Sequence, residues 1–256
     1  MDFYQPEGSY RFSSDAVCTA RYVCMAILEE FQKKQIKRPY LLMDIGCGCG
    51  VIGILVLQFF SELYPEYYPY LRVFGIEKEE ELFRAAKYNA KQFGHERNYF
   101  VFQMDILKLE SVSLLQNKVF EEIFIDTLPQ QHNKDGGVLK NPRLFDFVVT
   151  NPPWYRAETK LHSVSQLRNT ALFGNEAILQ GFFAFGEKFL KKNASMVTVA
   201  KTACYMEFMN AMPKSIQIIA LQAVHKKIQQ KAIFFILQGK YLSKAVFEIL
   251  SPQIME

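Results

Sequence analysis

LLMDIGCGCGVIGIL, residues 41–55, sets an apolar run, a glycine-rich turn and a second apolar run end to end. YLLMDI (40–45) reads as a short buried strand and VIGILVLQFFSEL (51–63) as a buried helix, so the glycines form the turn of a β-loop-α unit. Gly48-x-Gly50-x-x-Gly53 matches the dinucleotide fingerprint, in which a glycine turn and a helix N-terminus approach a pyrophosphate. Two features oppose that reading. Asp44 ends the strand just before the turn, where a carboxylate repels phosphate, and the tightest spacing is Gly46-x-Gly48-x-Gly50. Such a turn suits a cationic ligand better than an anionic one.

Outward from this unit, strands and helices alternate. LRVFGIE (71–77) predicts a second strand and KEEELFRAAKYNAKQF (78–93) a helix with acids at its start, as the helix dipole prefers. NYFVFQMD (98–105) and LFDFVVT (144–150) predict two more strands. A helix over about 175–191, a strand MVTVA (196–200), a helix near 203–211 and two strands, SIQIIALQAV and KAIFFIL, complete the pattern. Upstream, Ser13-Ser14-Asp15 offers capping groups, and the helix that follows places Val17, Tyr22, Met25, Ala26 and Leu28 on its apolar face. Residues 106–143 show no clear period, although EEIFIDTL (121–128) has strand character and QQHNKDGGVLKNPR is a loop by composition. The alternation implies an α/β fold of Rossmann-like type, with a mostly parallel sheet and helices on both faces. The expected organisation is a single domain over 1–256, with an N-terminal helical cap (1–39) and a core (40–256) that carries an insertion at 106–143.

In such sheets ligands bind beyond the carboxyl ends of the strands, and chemistry-bearing residues fall at four of them. Asp44 precedes the glycine turn and Glu77 ends the second strand, placed to accept hydrogen bonds from ribose hydroxyls. Asp105 ends the third strand, placed to accept from an adenine amine with Ile106 against the ring. S-adenosylmethionine fits this set, because it carries an ammonium and a sulfonium and no phosphate.

Asn151-Pro152-Pro153-Trp154 follows the fourth strand directly. Two prolines remove two backbone donors and fix φ, leaving stiff carbonyls that can only accept. With the Asn side-chain oxygen they suit a planar NH2 group. Accepting both of its hydrogens draws the nitrogen towards tetrahedral geometry and frees its lone pair for a methyl sulfonium. Trp154, the only tryptophan, is then placed to stack on a flat substrate.

Bulk properties set the frame. Half of the 256 residues are hydrophobic and no apolar run reaches the length of a membrane span, so neither a membrane protein nor a disordered chain is indicated. The start, MDFYQPEGSYRF, lacks the pattern of a signal peptide, which makes the cytoplasm the expected location. The five cysteines (Cys18, Cys24, Cys47, Cys49 and Cys204) show no metal-ligand spacing and read as reduced thiols, and no metal is expected. A net charge of +4 is compatible with a nucleic-acid partner without requiring one.

DIGCGCG, GIE, QMDI and VVTNPPW, in this order, resemble the motifs of the class I S-adenosylmethionine-dependent methyltransferases with the amino-group NPP[YFW] signature. The resemblance covers roughly residues 10–240. YRFSSDAVCTARYV is similar to a segment of the bacterial tRNA adenine-N6 methyltransferases that modify position 37 of valine tRNA, where it closes over the cofactor. This resemblance implies a seven-stranded, mostly parallel sheet with an antiparallel last strand. It also implies cofactor contacts from Arg11, Phe12, Asp15, Asp44, Ile45, Gly46, Cys47, Gly48, Gly50, Glu77, Lys78, Asp105, Ile106 and Asn151, and a catalytic Asn151, Pro152, Pro153 and Trp154. The implied activity is N6 methylation of adenine in RNA, most simply tRNA, with basic runs at 33–38 and 225–231 as candidate phosphate contacts. Two alternatives remain. A glutamine N5 methyltransferase acting on a release factor would use the same acceptors, though such enzymes usually carry an N-terminal helical domain and only about 39 residues precede the first strand here. An NAD-dependent oxidoreductase keeps only the glycine fingerprint.

Overall fold

Predominantly apolar strands need cover on both faces, and the computed structural model of the protein provides it, with YLLMDI and FDFVVT buried at every position. It describes residues 2–8, 12, 14–108, 115, 143–153, 176–227 and 229–255, and the backbone of 155–156 and 173–174. In chain order the elements are α1 (Ser14–Lys34), β1 (Tyr40–Ile45), α2 (Val51–Leu63), β2 (Leu71–Glu77), α3 (Glu80–Gln92), β3 (Tyr99–Gln103) and β4 (Phe145–Thr150). Then come the two-residue strands β5 (Tyr155–Arg156) and β6 (Phe173–Gly174), α4 (Glu176–Phe189), β7 (Leu190–Lys201), α5 (Tyr205–Ala211), β8 (Ile216–His225), β9 (Ala232–Tyr241) and β10 (Glu248–Ile254).

The main sheet runs β10-β8-β9-β7-β4-β1-β2-β3. β3, β2, β1, β4 and β7 are mutually parallel, and β9 lies antiparallel to both β7 and β8. After β1 the chain winds outward to β2 and β3, then returns to place β4 on the other side. That reversal makes the carboxyl ends of β1 and β4 the crevice of the sheet. Alternation along β1 shows how the two faces are filled. Tyr40 and Leu42 point to the layer of α1, α2 and α3, where Ile27, Phe31, Leu57 and Phe60 are fully buried. Leu41, Met43 and Ile45 point to the layer of α4 and α5, with Phe183, Phe189 and Phe208.

Three details differ from the sequence reading. The sheet has one strand beyond the seven expected: β10 pairs parallel with β8, and the register shift between Leu250 and Gln253 accommodates Pro252 at this edge. On α1, Tyr22 and Leu28 are buried as expected, together with Ala16, Ala20, Val23, Ile27 and Phe31, whereas Val17 and Met25 are 45% and 55% exposed. The helix is rotated so that the i, i+4 ridge meets α2. β3 ends at Gln103, which leaves Asp105 two residues beyond it. The EEIFIDTL segment lies outside the described residues. Among those described, no helix is long and apolar enough to cross a membrane.

At the amino ends of the strands, Asp146 ties three elements together. Its carboxylate is 8% exposed and accepts from Arg38 (2.6 and 3.0 Å), from Lys191 (2.9 Å to each oxygen) and from the Leu41 amide (3.0 Å). Burial pushes this carboxyl up, but the guanidinium, the ammonium and the amide together outweigh it and hold the carboxyl below its ordinary value.

Candidate active site

The glycine turn between β1 and α2 is pinned to the neighbouring strand. Gly46 and Cys47 both donate their amides to the Ile76 carbonyl, at 2.8 and 3.0 Å. This doubles the backbone back on itself and needs left-handed conformations: φ is 69° at Gly46, 57° at Gly48 and 85° at Gly50. At Gly46 space is limiting as well, because a Cβ there would lie 2.8 Å from Cε1 of Phe182 on α4.

Asp44 lies beneath the turn. It is 1% exposed, and its Oδ2 accepts from the Gly53 amide in the first turn of α2, 3.2 Å away. Burial pushes its carboxyl up to about 7, with Glu77 adding to the shift and the Gly53 amide opposing it. The cavity above is lined by Gly46, Cys47, Gly48 and Cys49. Asp44, Ile45 and Gly50 are outside that lining, so Asp44 braces the turn and does not face the cavity as the sequence suggested.

Glu77 does face it. One oxygen, Oε2, accepts from Gly48 at 3.0 Å; the other, Oε1, accepts from Lys78 and Glu79 at 2.8 and 2.9 Å. Burial raises its pKa against these three amides. Of roughly four acceptor positions on a carboxylate, about one stays open, on the oxygen that binds the turn. Beyond β3, Asp105 accepts from the Leu107 amide at 3.0 Å, and Asp105 and Ile106 continue the wall.

On the other side, β4 delivers Asn151, Pro152 and Pro153 to the lining. The strand end is fixed by Thr150, whose buried hydroxyl donates to the Ile45 carbonyl at 3.0 Å. Asn151 Nδ2 donates to Asp15 Oδ2 in the first turn of α1, 2.9 Å away. Phe12 also lines the cavity, its amide bonded to the Gln5 side chain and its ring edge-on to Phe3 at 5.4 Å. Asn89, fully buried on α3, exchanges two hydrogen bonds with the backbone of Tyr4 and donates to the Cys49 carbonyl, all at 2.9 Å. The residues before α1 are thereby joined to the glycine turn. Arg11 and Trp154 lie outside the described residues.

The structure thus gathers Phe12, Asp15, Gly46, Cys47, Gly48, Glu77, Lys78, Asp105, Ile106, Asn151, Pro152 and Pro153 around one cavity of ≈ 250 Å³. The sequence reading missed Leu82, Met104, Ile178 and Phe182, the apolar walls that a flat heterocycle would require. Four carboxylates line it (Asp15, Glu77, Glu79, Asp105) against Lys78 alone among described cationic residues. That balance welcomes a cation and offers little to a pyrophosphate. No group of His, Cys, Asp and Glu suited to a metal occurs among the described residues, and all five cysteines are free thiols.

Comparison of the structure with solved ones gives three informative likenesses. A candidate class I S-adenosylmethionine-dependent methyltransferase from Listeria monocytogenes superposes with a TM-score of 0.59 at 14% identity, over 99% of this chain and 68% of that one. A predicted O-methyltransferase from Agrobacterium tumefaciens gives 0.56 at 13%, over 86% and 83%. A candidate RNA methyltransferase from Pyrococcus horikoshii gives 0.52 at 11%, over 95% and 93%. The chain has the class I methyltransferase fold. At such identities the likeness concerns architecture, and no protein-family model and no curated protein matches the sequence. Within the class I fold, the crevice at β1 and β4 coincides with the cavity just described.

Proposed function

We propose that the protein is an S-adenosylmethionine-dependent methyltransferase acting on the N6 amine of an adenine in RNA, with tRNA as the first substrate to test. The whole chain serves as one catalytic domain capped by residues 1–39. The observation that carries this reading is Asn151. Its NH2 is taken up by Asp15, so its oxygen is the end left for the cavity, next to two prolines that have no N–H to offer.

Residues of this chain fit the cofactor. Glu77 has an acceptor position for a ribose hydroxyl, Leu82, Met104 and Ile106 suit the adenine ring, and the acidic lining suits a sulfonium and an ammonium. When bound, the cofactor supplies an electrophilic methyl group. Asn151 Oδ1 and the Pro152 carbonyl hold the two hydrogens of the substrate amine and so aim its lone pair. One of those protons leaves for solvent once the nitrogen carries the methyl group. No strong base is needed, because an alkylated aromatic amine is a strong acid before it loses that proton.

Topology separates the two basic runs. The 33–38 run lies at the amino ends of the strands, where Glu29, Glu30 and Asp146 engage Lys33, Lys34 and Arg38. Lys226, Lys227 and Lys231 are exposed at the β8–β9 turn, on the same end of the sheet as Asn151. β8 is three strands from β4, roughly 15 Å at the usual strand spacing. That distance is within reach of phosphates flanking a nucleotide seated in the cavity.

The test is transfer of label from S-adenosylmethionine into an unmodified tRNA pool and, separately, into cell protein, with digested products identified by mass spectrometry. N6-methyladenosine in tRNA is expected. Label in protein alone moves the assignment to glutamine N5 methylation, and NADH binding without S-adenosylmethionine binding overturns both.

A further inference from the structure

The geometry points to Asp15 as a positioning residue that decides which end of the Asn151 side-chain amide meets the substrate; this rests on the methyltransferase reading above. An asparagine amide has two ends of nearly equal size and opposite character, an oxygen that accepts and an NH2 that donates. Only the oxygen can hold an incoming amine hydrogen. With the amide turned over, the NH2 would face the substrate amine donor to donor. The catalytic arrangement therefore needs something that distinguishes the two ends.

Asp15 does so as an acceptor: its Oδ2 lies 2.9 Å from Nδ2 of Asn151, and a carboxylate oxygen offers lone pairs and no hydrogen. A flipped amide would bring an oxygen against that carboxylate, two acceptors with no hydrogen between them. The carboxylate is itself held in place. Asp15 is 3% exposed and sits in the first turn of the 21-residue α1, where the helix dipole favours negative charge. Thr19, one turn further on, donates its hydroxyl to the Asp15 backbone carbonyl at 2.6 Å, which bears on the helix backbone and not on the carboxylate. From the other side, Asn151 precedes Pro152 and is restricted to extended backbone, so its side chain leaves β4 in a fixed direction. Drawing on the NH2 also shifts electron density on to Oδ1 and makes it a better acceptor. Asp15 touches neither reacting atom in this scheme; it acts through Asn151.

The family resemblance gave Asp15 a different task, contact with the cofactor, and the two tasks separate kinetically. Full-length wild type, Asp15→Ala and Asp15→Asn are compared with an unmodified tRNA pool as acceptor, measuring kcat, both KM values, cofactor Kd by calorimetry and thermal unfolding. Asp15→Ala is expected to lower kcat on the order of 100-fold, a loss that persists at saturating cofactor whatever the removal of one lining carboxylate does to cofactor Kd. Asp15→Asn presents an acceptor and a donor alike, so it cannot tell the two ends of Asn151 apart, and its kcat is expected to stay well below that of wild type. A cofactor Kd raised in Asp15→Ala, with kcat restored at saturation, overturns the proposal in favour of a cofactor ligand. Asp15→Asn at wild-type kcat overturns it as well, because the acceptor-only character of the carboxylate would then be immaterial. If Asp15→Ala does not fold, the side-chain NH2 resonance of Asn151 in 15N-labelled wild type and Asp15→Asn decides: strong exchange protection in wild type and less in Asp15→Asn is expected, and none in wild type, or equal protection in both, sinks the idea. A wild type that binds S-adenosylmethionine but methylates neither tRNA nor protein is instead a failure of the functional reading.

Discussion

Glu77 and Gly48 are joined across the floor of the cavity, the carboxylate of β2 accepting from the amide of the turn after β1 at 3.0 Å. Glutamine at position 77 would have one oxygen where three amides now find two. Its NH2 group must then face either Gly48 or the pair Lys78 and Glu79. Losing such a bond inside a buried site costs about 1–3 kcal/mol, so Glu77→Gln should weaken S-adenosylmethionine binding about 10- to 100-fold. Calorimetry measures it directly, and an unchanged Kd would remove Glu77 from the cofactor site.

Gly46 is constrained twice, by a φ of 69° and by the Phe182 ring. Gly46→Ala is expected to lower stability by about 1–2 kcal/mol and to impair cofactor binding. In Gly46→Ala with Phe182→Leu the crowding is relieved and the backbone strain is not. The double variant should therefore recover part of the binding; full recovery would show that φ at this position is unimportant.

Asp44 makes stability depend on pH. Its carboxyl is pushed up to about 7 from 3.8, so the folded protein keeps a proton that the unfolded chain releases. The resulting stabilisation is complete below the unfolded pKa, declines as pH rises and is gone above about 7. Its size is on the order of 4 kcal/mol. Between about pH 5 and pH 8, wild type should lose urea stability and Asp44→Asn should lose much less of it. Parallel curves for the two proteins would contradict a buried, protonated Asp44.

The Asp146 cluster stands at the opposite end of the sheet from the cavity. Its two cationic partners, Arg38 and Lys191, are 53% and 36% exposed and can turn to water when the acid is removed, whereas the Leu41 amide cannot. Asp146→Ala, which leaves the Leu41 amide without its acceptor, should cost on the order of 2 kcal/mol, roughly 6 °C in Tm, with cofactor Kd unchanged at a temperature where the protein stays folded. A shift in Kd without a shift in Tm would reverse the assignment.

Much of this was legible in the sequence because strand ends are legible. Glu77 and Asn151 terminate apolar runs, and in a parallel sheet a polar residue at such a position has few places to be except the crevice. Depth was not legible. Asp44 also ends a strand, yet it folds under the turn to meet Gly53, a choice made by the left-handed glycines and by Ile76. Phe182 lies on α4 beside Leu179 and Phe183, and no feature of the sequence separates the ring that walls the cavity from those that fill the core. β10 escaped notice because Ser251-Pro252 interrupts its pattern, and only the bulge against β8 makes room for them.

Asn89 turns two distant stretches of chain into one thermodynamic unit. Its three hydrogen bonds hold Tyr4 on one side and the Cys49 carbonyl on the other, so neither can come loose without surrendering bonds that also restrain the other. A ligand that stiffens the glycine turn would then stiffen residues 2–8 without touching them, a cooperativity of order and not of shape. Hydrogen exchange at Phe3 and Tyr4 should slow when S-adenosylmethionine is added to wild type and respond far less in Asn89→Ala.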